Sequence, residues 1–236
     1  MFLRSSSAHV FVADLDAPVL DDDDAHHLGR VLRLKAGEPV SASDGAGSWR
    51  PCTWAGDGRL DPAGEVVVSA APAPEVGVGF APVKGDRPEW VVQKLTEVGV
   101  DRIVVVSTAR GVVRWEGDRA ARHVERLRRV AREAAMQSRR VRLPSVEGVV
   151  RFSSLVAGGG GDGGAVAVAE PGGAPPSLEC PMVLVGPEGG WSEDELTAGA
   201  ARVDLGPTVL RAETAAVAAG VLLCALRARL VGPCPI

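Results

Sequence analysis

Between Met182 and Asp194 the chain reads MVLVGPEGGWSED, a stretch that leaves few folds open. Four apolar residues, Met182 to Val185, run into Gly186-Pro187-Glu188-Gly189-Gly190, and then into Trp191-Ser192 and the acidic trio Glu193-Asp194-Glu195. Physically this is a buried strand, a sharp loop and a helix with Ser192 as N-cap, its first-turn acids complementing the helix dipole. Glycine has no Cβ, so backbone N–H groups in such a loop can meet a ligand directly. In open α/β sheets, ligands gather at the loops beyond the carboxyl ends of strands. A plain strand-to-helix turn satisfies the same pattern, and the segment alone leaves both readings open.

The rest of the chain sorts into two kinds of pattern. Residues 1 to 72 read as all-β. Val10-Phe11-Val12 is a short apolar run, and His26 to Leu34 gives a brief helical turn and then alternates. Pro39 to Ser43 leads into the hairpin signal Asp44-Gly45. Trp49 to Trp54, with Pro51 inside it, reads as an edge strand, and Gly64 to Ala70 as another strand. Several short strands with regular turns point to a small barrel. Ala71-Pro72-Ala73-Pro74 is a stiff linker, which sets the expected domains at 1–72 and 75–236.

Beyond the linker, strands and helices alternate. Strands are expected at Val76–Val83, Arg102–Ser107, Ala165–Ala169, Met182–Val185 and Arg202–Leu205. Helices are expected from Asp86-Arg87-Pro88 to Gly99, over 118–138, at Phe152–Val156 and over Glu213–Arg229. Glu170-Pro171-Gly172-Gly173 should leave its strand. The pattern is that of an α/β domain with a mainly parallel sheet.

Composition bounds the function. At 236 residues, 46% hydrophobic and 24% charged, the chain can bury a substantial core. Its four cysteines, Cys52, Cys180, Cys224 and Cys234, form no CxxC pair and have no nearby His, which argues against a zinc site and against a disulfide framework, and no metal is expected. Reduced thiols in a cytoplasmic setting are the simplest state. The amino end lacks a signal-peptide pattern, and the longest apolar run, Ala215 to Leu226, is too short to span a bilayer. The net charge is −4, but its distribution matters more. Residues 1–75 carry 6 basic against 12 acidic side chains, while residues 118–142 hold nine arginines against three acids. Such a cluster can grip phosphates even on an acidic protein, although a solvated helix face gives the same pattern.

Three strand ends are built alike, from Gly and Pro beside an aliphatic residue. They are Ala169-Glu170-Pro171-Gly172, Val185 to Gly190, and Leu205-Gly206-Pro207. If their strands are neighbours, the loops converge on a pocket of backbone groups and aliphatic side chains. That pocket suits a flat heteroaromatic ring better than a bare phosphate. There is no GxxxxGK[ST]. Gly159 to Gly164 matches GxGxxG but precedes a strand instead of opening a helix, so it is not a dinucleotide fingerprint. No GxSxG exists, and the four histidines lie far along the chain from the glycine loops, which removes Ser/His/Asp chemistry. Leu210-Arg211-Ala212-Glu213-Thr214 opens the last helix. Glu213 and Thr214 can cap it, while Arg211 can hold a phosphate or stabilise developing negative charge.

VGPEGGWSEDE together with LGPTVLRAETAAVAA resembles the signature pair of the 16S rRNA (uracil-N3)-methyltransferases, the RsmE family of the SPOUT superfamily. HHLGRVLRLKAGEPV and the following Asp-Gly resemble the PUA-like N-terminal barrel of that family. KGDRPEWVVQKLTEVGVDRI resembles the start of its catalytic domain, and REAAMQSRRVRLP the end of its central helix. The segments occur in the family's order over nearly the whole chain. Where the family often has a proline after the strand at Ile103 to Ser107, this chain has none. It also has MQSRR where a glutamate and a glycine or histidine are common.

The resemblance implies a small PUA-like β-barrel that binds RNA, followed by a SPOUT domain with a deep trefoil knot. It implies a homodimer, and S-adenosylmethionine held in a bent form by three loops. The first loop would contribute Ala169 and Glu170, and the second Leu184, Val185, Gly186, Pro187, Glu188, Gly189 and Gly190. The third would contribute Leu205, Gly206, Val209, Leu210 and Arg211, with Thr214 behind it. Arg211 would orient the acceptor, and Glu213, or else Glu188, would help remove a proton. Arg30, Arg33 and Lys35 in the first domain, and Lys84, Arg87, Lys94, Arg139, Arg140 and Arg142 in the second, are the expected contacts to 16S rRNA of the small ribosomal subunit. The acidic run Asp21 to Asp24 would face away from RNA. The competing expectations are a ribose 2′-O or guanine methyltransferase of the same superfamily, and a non-catalytic ribosome-assembly factor that binds RNA.

Overall fold

The structure, a computed structural model, describes residues 2–158 and 165–232. Gly159 to Gly164, the stretch that matches GxGxxG, lies outside the described residues. The chain divides into two compact units, Met1–Ala71 with Arg132–Leu143, and Pro72–Ala131 with Pro144–Ile236.

The first unit contains helix α1 (Phe2–Ser5), strand β1 (Ala8–Phe11), helix α2 (Asp22–His26), a π-helical turn (His27–Val31) and strands β2 (Pro39–Ser43), β3 (Ser48–Trp54), β4 (Leu60–Pro62) and β5 (Val67–Val68). They form a five-stranded sheet in the order β1-β2-β3-β4, with β5 also paired to β3. β1 runs parallel to β2, while β2 and β3 form the hairpin expected at Asp44-Gly45. The Asp44 carboxylate accepts from the N–H groups of Ala46 (2.7 Å) and Ser48 (3.0 Å) and so closes the turn.

The brief helical turn expected from His26 is present, while the alternation read after it is not part of a strand. Asp21 caps α2 through the Asp24 N–H, and the chain continues as the π-helical turn with Leu28 fully buried. β3 is also not an edge strand, since it pairs on both sides. Its proline is tolerated because Arg50 and Pro51 fall between the stretch paired to β4, Cys52 to Trp54, and the stretch paired to β5, Ser48 to Trp49. The missing N–H therefore costs no ladder bond.

Residues 132–143, which the sequence reading places wholly in the second domain, belong to the first unit. Arg132 pairs with Asp24 at 2.5 Å, and Arg142 donates to the Ser69 carbonyl at 2.7 Å. The Gly47 N–H donates to the Val141 carbonyl at 3.1 Å, and His9 Nε2 donates to the Arg140 carbonyl at 2.9 Å.

The second unit contains β6 (Gly77–Phe80), α3 (Arg87–Val98), β7 (Arg102–Ser107), α4 (Gly117–Ser138, its last turns counted with the first unit), β8 (Ser145–Arg151), α5 (Phe152–Gly158), β9 (Val166–Ala174), β10 (Met182–Val185), α6 (Glu193–Thr197), β11 (Ala201–Val203) and α7 (Ala212–Arg227). The sheet order is β11-β9-β10-β6-β7-β8, and every pairing in it is parallel. From β6 the chain steps outward to β7 and β8. It then crosses to β9, returns to β10 beside β6 and ends on the opposite edge at β11. The strand order thus reverses between β6 and β10.

Both faces of the sheet are covered. Val76, Val78, Val91, Leu95, Ile103, Val105, Leu127, Val183, Val185 and Leu223 form one core cluster, and Val104, Val106, Phe152, Leu155, Met182, Leu184 and Trp191 form the other. α3 and α7 pack closely because Gly220 has no side chain, and a Cβ there would stand 2.6 Å from Leu95. α3 ends at Gly99 in the left-handed region (φ 103°), as its sequence predicts.

β9 does not end at Ala169 as expected. Val168 pairs with Arg202 and Ala174 with Val203, so the partner advances one residue while β9 advances six. Residues 169–173 are looped out of the ladder as a wide bulge. The bulge accommodates Pro171 and Gly172 (φ 80°), and bare Gly173 lets the chain close again on Arg202, whose carbonyl carbon would lie 2.6 Å from a Cβ.

Candidate functional site

The bulge at the end of β9, the loop after β10 and the loop between β11 and α7 come together at the carboxyl edge of the sheet. They enclose a cavity of about 480 Å³ lined by residues 169–171, 185–188, 190–191, 204–212 and 215. Backbone groups and aliphatic side chains make up most of this wall. Its charges are the carboxylates of Glu170, Glu188 and Asp204 and the guanidinium of Arg211.

Each wall is held by a specific bond. Trp191 is buried to 4% exposure, and its indole N–H donates to the Ala169 carbonyl at 3.0 Å, tying the second loop to the bulge. Gly186 lets the indole pack closely, because a Cβ there would lie 3.1 Å from the ring and crowd it. Gly190 takes φ 69° and closes the turn, its N–H donating to the Pro187 carbonyl at 2.8 Å. Asp204 ties the bulge to the third loop, accepting from the Gly172 N–H (2.9 Å) and the Gly206 N–H (3.0 Å). Those backbone donors, Gly206 first, hold its carboxyl below the ordinary carboxylate value.

The predicted helix start is present as a complete capping box. Ser192 accepts from the Glu195 N–H at 3.3 Å, and Glu195 accepts from the Ser192 N–H at 2.9 Å. The second oxygen of Glu195, a residue only 8% exposed, accepts from the Ala109 N–H at 2.8 Å. One carboxylate thereby fixes the loop after β7 to the loop after β10. Arg110 adds a second link, donating to the Gly189 carbonyl at 3.1 Å.

Most residues expected to hold a cofactor line the cavity: Ala169 and Glu170, Val185 to Glu188, Gly190, Leu205 and Gly206, and Val209 to Arg211. Three do not. The Leu184 side chain is fully buried in the core against β6 and β7, because alternation along β10 turns it away from the lining side. Gly189 lies outside the lining with its carbonyl engaged by Arg110, and Thr214 is exposed on α7.

Arg211 is the exposed N-cap residue of α7 at the cavity rim, and its guanidinium has no hydrogen-bond partner among the described residues. Glu213 does not line the cavity. Its carboxylate is 13% exposed and faces Arg87 at 3.5 Å, with Oε2 enclosed and unpaired. Trp191, Asp204 and Glu195, the three residues that hold the loops together, are absent from the sequence-derived site. The one local signal is Ser192-x-x-Glu195, and the other two act through backbone atoms 22 and 32 residues away.

The expected RNA contacts are divided between the units. Arg30, Arg33 and Lys35 are exposed in the first unit, with Arg33 in the left-handed region (φ 55°). In the same unit Arg139 donates to Ser6 Oγ at 3.0 Å, and Arg140 and Arg142 hold the strap, residues 132–143, by backbone and side-chain bonds. In the second unit Lys84 is exposed, Arg87 faces Glu213, and Lys94 is bound to Glu97 at 2.8 Å. Much of the arginine cluster is therefore structural: Arg126 pairs with Glu89 at 3.1 Å, and Arg132 with Asp24. Among the described residues no group of His, Cys, Asp and Glu could hold a metal ion.

A parallel α/β domain with a three-loop cavity at the carboxyl edge of its sheet, joined to a small β unit, describes a class of proteins, and comparison with known proteins gives that class a family. The RNA methyltransferase domain family matches residues 70–223, and the RNA methyltransferase PUA domain family matches residues 20–57. The chain belongs to the RNA methyltransferase family, in the group of the ribosomal RNA small subunit methyltransferases E. A Mycobacterium bovis protein of that name is 37% identical over 218 residues, covering 85% of this chain and 83% of its own. A probable rRNA-methyltransferase from Porphyromonas gingivalis superposes with a TM-score of 0.76 at 28% identity, covering 95% of this chain and all of its own. The Neisseria gonorrhoeae ribosomal RNA small subunit methyltransferase E, solved bound to S-adenosyl methionine, gives a TM-score of 0.76 at 26% identity over 93% of this chain and 97% of its own.

Proposed function

We propose that this chain transfers a methyl group from S-adenosylmethionine to N3 of a uridine in the 16S rRNA of the small ribosomal subunit, in the cytoplasm and as a homodimer. The observation that carries the reading is the three-loop cavity at the carboxyl edge of the sheet, in a chain of this family. Its volume lies within the range of small-molecule sites, roughly 300–1,000 Å³. Its backbone-rich wall suits an adenine ring. Three carboxylates against one guanidinium suit a ligand with an ammonium, a sulfonium and a single carboxylate. The bulge at Ala169 to Pro171, the loop from Val185 to Gly190 and the loop from Asp204 to Leu210 would hold it, threaded together by the knot that the family resemblance implies.

When bound, S-adenosylmethionine supplies a methyl group already activated on sulfur, so the protein's part is positioning. The acceptor imide loses its N3 proton as the N–CH3 bond forms. Arg211, unpaired at the rim, is placed to steady the negative charge that spreads over the two ring carbonyls. Glu213 is held by Arg87 and lies outside the cavity wall, so its fitting role is to fix the first turn of α7 and the rim with it. The proton then passes to solvent or to Glu188, which is exposed on the wall.

The dimer reading is supported by α7. No charged residue occurs from Ala215 to Leu226, yet Val221 is 43% exposed and Val217 and Ala225 on the same face are only partly buried. RNA would be gripped by Arg30 and Arg33 of the barrel domain expected at 1–72, and by Lys84, Arg87, Lys94, Arg139 and Arg140 of the domain expected at 75–236, of which Arg139 and Arg140 lie in the compact unit that contains the barrel.

Mass spectrometry of 16S rRNA nucleosides, from small subunits incubated with the protein and S-adenosylmethionine, tests the reading. It requires 3-methyluridine to appear. A 2′-O-methylated or guanine product would select one of the competing chemistries, and no product together with no S-adenosylmethionine binding by calorimetry would refute it.

A further inference from the structure

The same sheet edge carries a second cavity, on the other side of the point where the strand order reverses. It lies at the carboxyl ends of β6 and β7, beside Val149 of β8, and is formed by Pro82, Val106 to Ala109, Gly111, Val113 to Glu116 and Val149. Its volume is about 220 Å³, less than half that of the first cavity. This falls below the range taken by drug-sized ligands, roughly 300–1,000 Å³, and leaves room for a single flat ring.

The wall has the chemistry of a nucleobase site. Trp115 lines it, and its indole is stacked on His123 at 4.3 Å and 9°, which fixes the plane of the ring. Arg114 stands exposed at the rim, where a guanidinium can reach a flanking phosphate. The loop after β7 is not free to drift, because Glu195 and Gly189 hold it through Ala109 and Arg110. Those two bonds join the loop after β7 to the loop after β10, across the reversal between β10 and β6. In an open parallel sheet the crevice at such a reversal is where two ligand halves meet, one from each side.

We propose that this second cavity receives one unpaired pyrimidine of the substrate RNA, flipped out of its stack toward the cofactor cavity. The inference rests on the methyltransferase reading and specifies where the acceptor enters. Trp115 forms the aromatic wall, Arg114 meets the phosphate beside the flipped nucleotide, and the bonds from Glu195 and Arg110 hold the loop that carries this cavity against the loop after β10. Base chemistry on a paired nucleotide needs such an extruded geometry.

Two variants at exposed positions test it: Arg114→Ala, and Ser107→Trp, which fills the cavity from its mouth. Each should lower kcat/KM for small-subunit methylation by tenfold or more. The melting temperature and the S-adenosylmethionine affinity by calorimetry should stay at wild-type values. Fluorescence anisotropy with a short single-stranded uridine-containing RNA reads the cavity without methyl transfer, and both variants should weaken that binding severalfold. If the wild-type protein binds this RNA in a manner sensitive to the variants but never methylates rRNA, the methyltransferase reading fails and the cavity assignment stands. If the wild-type protein methylates rRNA and both variants match it in turnover and RNA binding, the cavity assignment is overturned.

Discussion

Ser6, His9, Asp24, Ser41 and Ser43 are all buried in the first unit, whereas among the described residues the buried polar side chains of the second are Thr96 and Glu195. In the second unit eight aliphatic side chains from β6, β7 and β10 alone, Val78, Ile103 to Val106 and Met182 to Leu184, are fully buried. The first unit is small, and part of its interior is the strap 132–143, whose backbone carbonyls must be bonded if they are to be buried. His9 bonds the Arg140 carbonyl, and Ser43 Oγ and the Gly47 N–H bond that of Val141. Both units have apolar cores, but the buried interior of the second is almost wholly aliphatic, and such burial is insensitive to pH. The first adds buried hydrogen bonds and an ion pair, whose worth depends on protonation and on every partner remaining present.

The largest expected effect lies in the aliphatic unit. Leu184→Ala removes a fully buried side chain packed between β6 and β7 and leaves a cavity where Gly79 cannot fill in. It should cost about 2–5 kcal/mol in urea unfolding at pH 7, and the same amount at pH 5. A pH-dependent loss would show that this core is not the purely aliphatic one described.

His9 should give the contrasting result. Its Nε2 must donate to the Arg140 carbonyl, so in the neutral ring Nδ1 accepts from Ser41 Oγ at 2.8 Å. Burial is the main reason its pKa falls to about 4 from 6.5. The neutral form is therefore the one the fold accepts. Its stabilisation is complete above about pH 6.5 and is lost as pH falls toward 4, because the unfolded chain binds a proton that the folded chain refuses. The loss by pH 4 should be about 3 kcal/mol. Urea midpoints at pH 7 and pH 4.5, for wild type and His9→Gln, measure it. An equal pH slope in the two proteins would remove His9 from the account.

Arg132→Leu should follow in size. It leaves the Asp24 carboxylate, 9% exposed on its side chain, without its cation. Breaking a buried pair costs about 3–5 kcal/mol. Here Arg132 is 30% exposed, so water can partly replace it and about 2 kcal/mol is expected. Adding Asp24→Leu should recover most of the loss, and a double variant as weak as the single one would contradict a penalty from the orphaned charge.

The contrast also accounts for what can be read from the sequence. The second unit is legible where burial imposes a period: Ile103 to Val106, the apolar stripe of α4, and α7 all lie where their patterns place them. β8 escapes a sequence reading because it is partly exposed along most of its length and broken by Gly148, so no alternation marks it. The segment 132–143 is read with the second domain because its partners in the first unit, among them Asp24, Ser6 and the Ser69 carbonyl, lie 73 or more residues away and leave no local pattern. The glycine loops announce themselves because close approach needs bare Cα atoms, as Gly186 under Trp191 shows. The bonds that set the cavity's shape run from Trp191 and Asp204 to peptide groups, and a side chain's distant backbone partner leaves no mark on the sequence.

The smallest predicted effect isolates one of those bonds. Trp191→Phe keeps an aromatic ring against Phe152, now 5.1 Å away, and over Gly186, but removes the N–H that reaches the Ala169 carbonyl. Global stability should fall by about 1 kcal/mol, the net worth of one hydrogen bond with some loss of packing. The local consequence should be larger. The bulge 169–173 is out of the ladder, and Trp191 and Asp204 supply the side-chain bonds described to it. Freed at one end, it should let the cavity wall move and weaken S-adenosylmethionine binding severalfold by calorimetry, with RNA affinity unchanged. An equal loss in Leu184→Ala, scaled to its stability change, would mean that cofactor binding follows global stability and not the tie between Trp191 and the bulge.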